Sequence, residues 1–136
     1  MKLKLRENKV KKIILDDVIT DNDDSHPEHG FSLEFTPSFD KDGRCFSINF
    51  NFLYLIKDDD SYHKILKVNY CSTFNTDGEI TDEFISSKFP VINAPAIAFP
   101  FLRAFVANFL LSSGYNPILL PSINFTRFEN DSINAD

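Results

Sequence analysis

Few side chains in this sequence have the types and spacing that chemistry requires. His26 and His29 form a His-x-x-His pair, a spacing that can bring two imidazoles to one metal ion. A zinc centre wants four ligands on a rigid frame, and this pair lies in the polar run Asp21 to Gly30, so a solvated loop is expected. Asp21, Asp23, Asp24 and Glu28 in the same run suit calcium, yet the glycine and closing glutamate of an EF-hand loop are missing. Asp58, Asp59 and Asp60 read as a solvated hairpin tip, and His63 near that tip has no feature that marks it as a base. Cys45 and Cys71 are expected on one sheet face, diagonally apart, as reduced thiols. There is no phosphate-binding glycine loop and no Gly-x-Ser-x-Gly elbow. The expectation is therefore no enzyme, no metal and no cofactor.

The 136 residues fit a single domain, 1–136. Net charge is −6, which argues against a nucleic-acid partner, whose phosphates need a basic footprint. It argues equally against an anionic membrane surface. No stretch approaches the roughly 18 apolar residues of a membrane span, and the N-terminus lacks the apolar core of a signal peptide. A cytoplasmic protein without membrane insertion is expected. The unusual entry in the composition is aromatic: 15 Phe and no Trp, more than one modest core needs.

Those residues are carried by strands up to about residue 76. Residues 9–20 are β-branched and read as a first strand. Phe31, Leu33, Phe35, Pro37 and Phe39 alternate with polar residues, and so do Phe46, Ile48, Phe50, Phe52, Tyr54 and Ile56. A further strand runs from Ser61 to Phe74. A hairpin centred on Asp59 sets Ile48 opposite Tyr70, Phe50 opposite Val68 and Phe52 opposite Leu66. One centred between Lys41 and Asp42 sets Phe35 opposite Ile48 and Leu33 opposite Phe50. Every pairing is apolar on apolar, which predicts an antiparallel meander with one buried and one wet face. The wet face carries Ser47, Asn49, Asn51, Lys67, Asn69 and Thr73, with Glu34 nearby.

A connecting segment, 77–92, leads to a long helix at about 95–113, with Pro95 in its first turn and Gly114 as its C-cap. Pro100 should bend the helix or delay its start. Phe99, Phe101, Leu102, Phe105, Val106, Phe109, Leu110 and Leu111 leave it apolar nearly all round. A helix that covers one sheet should keep a wet face, so a second cover is expected, most simply another subunit. Residues 114–136 follow as an extended apolar segment and a polar tail that frays from Glu129.

Two stretches carry a family resemblance. Phe99-Pro100-Phe101-Leu102-Arg103 is similar to the Phe-Pro-Tyr-Ala-Arg that begins the long helix of the SecB export chaperones. Gly114-Tyr115-Asn116-Pro117-Ile118-Leu119-Leu120-Pro121-Ser122-Ile123-Asn124-Phe125 resembles that family's Gly-x-Phe-Pro-x-Leu-x-Leu-x-Pro-Val-Asn-Phe, at the right distance downstream. The resemblance implies an α+β fold, a four-stranded antiparallel meander backed by one long apolar helix. It also implies a homo-oligomer, tetramer or dimer, with the long helices between subunits; Phe101, Arg103, Phe105, Asn108 and Phe109 are the expected interface residues. The implied function is an ATP-independent holdase for unfolded or secretory polypeptides, with the translocase ATPase as a further partner. The expected client contacts are Phe31, Phe84, Ile85, Phe89, Val91 and Ile92. A branch of the family serves antitoxins, so a dedicated chaperone of one partner is the alternative, and a non-chaperone binding module that reuses the fold is another. Three departures stand out: Ala104 replaces the acidic residue after the motif arginine, the expected wet face is not acidic, and residues 126–136 leave no room here for the family's second helix.

Overall fold

A computed structural model of the chain describes residues 1–18, 30–58, 61–127 and 132–134. His26, His29 and the acidic run around them lie outside the described residues, as do Asp59 and Asp60.

The chain folds as an antiparallel sheet with a long helix across one face. The strands are β1 (Leu3–Asp17), β2 (Phe31–Asp40), β3 (Cys45–Asp58) and β4 (Ser61–Thr76). A short strand, β5 (Ser132–Asn134), pairs with Ser32–Glu34 on the free edge of β2, giving the order β1-β4-β3-β2-β5. The four-stranded antiparallel sheet is thus present, but only β2, β3 and β4 form the expected meander: β1 crosses over to pair with β4 instead of β2. The tail expected to fray adds a fifth strand on β2, which would otherwise present a row of unpaired backbone groups.

Both hairpins are shifted by two residues from the expected register. Phe35 lies opposite Phe50, and Phe50 opposite Tyr70. Side chains alternate with period two, so a shift of two keeps every residue on its face, whereas a shift of one would have inverted it. The shift separates the cysteines: Cys45 pairs with Asn75, while Cys71 pairs with Asn49, four residues further along the ladder. Both are free thiols. The outer face is also less wet than expected, since Leu55, Cys71 and Thr73 are buried there.

β1 starts six residues earlier than expected, and its pattern explains why it was hard to read. Leu3, Leu5, Val10, Ile13 and Leu15 do not alternate strictly. Register breaks between Leu5 and Glu7 and between Val10 and Lys12 each insert one residue. With those bulges, Leu5, Val10, Ile13 and Leu15 fall opposite Phe74, Tyr70, Val68 and Leu66 of the inner face. Buried Ser72 in that face is satisfied by Asn8, its Oγ donating to the Asn8 side-chain oxygen at 2.6 Å. At the far end of β1, Asp17 accepts a hydrogen bond from the Lys64 ammonium, which holds its carboxyl below the ordinary carboxylate value.

The inner face is a phenylalanine core. Phe46 stacks on Phe74 (ring centroids 5.3 Å apart), and Phe39 stacks on Phe46 (5.8 Å). α1 (Asp82–Ile85) is one short turn, opened by Thr81, whose Oγ1 accepts the Phe84 N–H. It drives Phe84 edge-on into Phe46 and Phe39.

α2 (Ala94–Ser112) is preceded by a wide π-type turn, Phe89–Asn93, so the helical run begins within the expected connecting segment. Pro90 sits where a helix needs no N–H, and the wide turn carries the chain past Pro95. Pro100 neither delays nor ends the helix. Ala96, whose carbonyl loses the bond that a Pro100 N–H would give, and Pro100 itself are both exposed residues. The run Phe89–Ser112 is long and apolar enough to cross a membrane by length and composition, so the expectation that no such stretch exists is corrected. Here it is the core helix: Leu102, Val106 and Leu110 are fully buried on the sheet.

Gly114 ends α2 as expected, with φ +93°. The Tyr115 N–H bonds the Leu110 carbonyl at 2.9 Å and the Gly114 N–H bonds the Leu111 carbonyl at 3.2 Å, the paired bonds of a Schellman cap. Gly114→Ala forces a left-handed conformation on a residue with a Cβ. It is expected to lower stability by about 1–2 kcal/mol in urea unfolding, although nothing lies within 4 Å of the new methyl. An unchanged midpoint would mean that the cap is not formed in solution.

Tyr70 lies under α2, its ring 6.0 Å from that of Phe105. Burial pushes its phenol above the ordinary 10.0. The folded state therefore holds this proton longer than the unfolded chain does. Stability should fall as pH rises from about 10 toward the raised folded value, and Tyr70→Phe should flatten that fall. A wild-type alkaline limb that Tyr70→Phe leaves unaltered would remove Tyr70 as its source.

Candidate functional site

No cluster of three or more His, Cys, Asp or Glu that could hold a metal occurs among the described residues. His63 is an exposed strand residue whose carbonyl accepts the Val18 N–H. The feature that stands apart from the core is apolar surface.

Its first part is the outer face of α2. Ile97 is 42% exposed, Phe101 48% and Leu111 63%. With Ala104 and Asn108, both exposed, they follow each other at intervals of four, three, four and three residues. At 100° per residue they fall within about 80° of the helix circumference, opposite the buried Leu102, Val106 and Leu110. This is the seam spacing of a helix that packs along a second helix. Of the residues expected at an interface, Phe101 and Asn108 lie on this stripe. Arg103, Phe105 and Phe109 lie on its flanks, half-buried. Arg103 rests over the Phe99 ring at 6.0 Å, and Phe105 joins Tyr70 to Phe109. Ile97, Ala104 and Leu111 were not among the interface residues expected from sequence, although their spacing with Phe101 and Asn108 was there to be read.

The second part is a half-buried seam where the connecting turns meet the core. Ile85, Phe89, Val91 and Ile92 all lie partly open against it. Phe84 stacks on Phe89 at 5.7 Å but is itself buried, as is Phe31. The expected client residues therefore do not form one patch. Phe31 packs on Phe52 at the start of β2, while Phe84 meets Phe39 eight residues further along that strand, about 26 Å away at strand rise. Phe125 anchors the C-terminal segment between Phe35 (5.7 Å) and Phe99 (5.9 Å). It leaves Leu119 of the same segment 93% exposed. Ile13 and Leu15 add exposed apolar surface at the β1 edge.

The described chain thus combines a half-wrapped sheet, one long helix with an apolar outer stripe and a half-open aromatic seam. The chain belongs to the SecB family: the family described as preprotein translocase subunit SecB matches residues 12–134, well upstream of the two motifs that carry the resemblance. It is similar to the protein-export protein SecB of Anaplasma phagocytophilum (strain HZ), 34% identical over 76 residues, which cover 53% of this chain and 48% of that protein. It is also similar to the SecB of Roseobacter denitrificans, 32% identical over 79 residues, covering 58% and 46%. The chain thus spans about half the length of the curated relatives it matches. In fold it is similar to a SecB-like chaperone of Mycobacterium tuberculosis, solved in complex with a ChAD peptide from the HigA1 antitoxin, with a TM-score of 0.66, 10% identity, and coverage of 90% and 91%. A protein of unknown function from Streptococcus agalactiae shares the fold at a TM-score of 0.55 and 14% identity, with coverage of 89% and 98%.

Proposed function

We propose that the protein is an ATP-independent holdase of the bacterial cytoplasm that binds unfolded or precursor polypeptides on apolar surface and hands them on for export. In this reading the α2 stripe joins subunits into a dimer or tetramer, with Phe101 and Asn108 at its centre and Arg103, Phe105 and Phe109 on its flanks. Clients lie along Ile85, Phe89, Val91 and Ile92, and Phe84 supports that surface from within the core, while Phe31 is core at the other end of β2. Non-directional apolar contact suits clients of many sequences, because it scales with area and asks for no fixed partner group. The observation that carries the reading is the half-open aromatic seam beside an apolar helix stripe, in a chain of this family. An export role adds the translocase ATPase as a partner.

The test is suppression of aggregation of several unrelated unfolded proteins, followed by light scattering without nucleotide. Protection of all of them near stoichiometric ratio is the expected result. Protection of only one co-encoded partner would replace this reading with a dedicated chaperone, such as one for an antitoxin; the M. tuberculosis neighbour bound to an antitoxin peptide keeps that second reading in view. Protection of none, with a small molecule copurifying, would point to a binding module that reuses the fold.

A further inference from the structure

The outer face of the sheet, away from α2, holds an open cavity of about 450 Å³. Two cross-strand rows build its floor. One runs Lys12, Asn69, Asn51, Glu34 from β1 to β2, each directly opposite the next. The adjoining row runs Ile14, Lys67, Leu53, Ser32 in the same way. At 4.8 Å between strands each row spans about 14 Å.

Charge in this acidic chain is sorted. Six of its 14 Lys and Arg residues, against one of its 20 acidic residues, fall within residues 2–12. Lys4, Lys9 and Lys12 lie opposite Asn75, Cys71 and Asn69, so they share the outer face with Lys67. Lys12, Lys67 and Glu34 form no ion pair among the described residues. Between the charges, the Asn69 side-chain amide donates to the Asn51 side-chain oxygen at 2.7 Å. That bond leaves an N–H₂ on Asn51 and an oxygen on Asn69 to serve a partner, the donor and acceptor that a peptide backbone matches.

We propose that this groove docks an acidic, extended polypeptide segment of a partner protein. Lys12 and Lys67 are diagonal neighbours on adjacent strands, which puts their Cα atoms about 7–8 Å apart. Two carboxylates at positions i and i+2 of an extended chain are separated by about 6.8 Å, so an acidic-x-acidic spacing meets both ammonium groups. Ile14 and Leu53 flank Lys67 and take apolar side chains. Glu34 at the far end repels a third carboxylate and so confines the acidic pair to the lysine end of the row. The same carboxylate, and the acidic remainder of the chain, disfavour a nucleic acid. This inference stands apart from the holdase reading, because it uses the opposite face of the sheet.

The probe is a dye-labelled twelve-residue peptide with Glu-Val-Glu at its centre and Ser and Thr around it, followed by fluorescence anisotropy with the full chain. Saturable binding that weakens as salt rises is expected, with affinity at least tenfold lower in the Lys12→Glu/Lys67→Glu double variant and a few-fold higher in Glu34→Gln. The double variant should in turn prefer a second peptide, identical except for Lys-Val-Lys at its centre, a swap that a misfolded variant would not produce. Three results would overturn the proposal: no saturable binding by the wild type, equal binding of both peptides, or tighter binding of a single-stranded oligonucleotide than of the acidic peptide.

Discussion

Phe46→Ala lowers folding stability by about 3–5 kcal/mol, the range for deletion of a buried aromatic side chain. Phe46 is 1% exposed and central to the aromatic cluster, with Phe74, Phe39 and Phe84 all within 6 Å, centroid to centroid. Its loss removes contacts to β2, β4 and α1 at once, and those elements cannot all collapse into the space. Domains of this kind have about 5–15 kcal/mol in total, so a large part of the stability is lost. Phe46→Leu keeps much of the volume and should lose less than half as much. The measurement is urea unfolding at fixed protein concentration, since any assembly adds to apparent stability. A change below about 1 kcal/mol for the alanine variant would show that the cluster is not packed as described.

Phe101→Glu with Leu111→Glu separates assembly from folding. Both side chains project from the outer stripe of α2 and make little contribution to the chain's own core. If the stripes of two subunits mate, each side chain buries its exposed part, worth about 1 kcal/mol. Two residues on two subunits give about 4 kcal/mol, or about a thousandfold in dissociation constant. Light scattering across a dilution series should show the wild type as an oligomer and the variant as a monomer, with similar far-UV circular dichroism. Aggregation suppression should fall with the oligomer if the client groove runs between subunits, and persist if it lies within one chain. A wild type that is monomeric at all concentrations would sink the assembly and leave the stripe to another partner.

Much of this molecule is written in local pattern. The alternation in 31–39 and 45–56 assigned two strands and their buried face, and the assignment survived a two-residue error in both hairpins because side-chain direction repeats every two residues. The Gly114 cap was legible because a left-handed residue closes the helix there. β1 was only half legible. Its spacing becomes regular once two bulges are placed, and bulges are set by the pairing with β4 rather than by β1 alone. Pro95 read as the first turn of the helix, and Pro100 as a bend or a delayed start. Only the wide turn at Phe89–Asn93 and the exposure of Pro100 allow the helical run to begin early.

Site residues were the hardest to read. Phe31, Phe84, Phe89 and Phe101 are the same residue type, yet two are buried, one is half-open and one faces outward. Which phenylalanine becomes core depends on what packs over it, here Phe39 and Phe46 over Phe84 and nothing in the described chain over Phe101. By itself the sequence determined strands β2 to β4, the long helix, the buried face of the sheet and the family, because these follow from short-range periodicity and two motifs. Only the tertiary structure decided the strand register, the fifth strand, the stripe on α2 and the Lys12 to Glu34 row across four strands. Each of these depends on residues far apart in the chain, whose alignment is fixed by backbone pairing and packing rather than by any local preference.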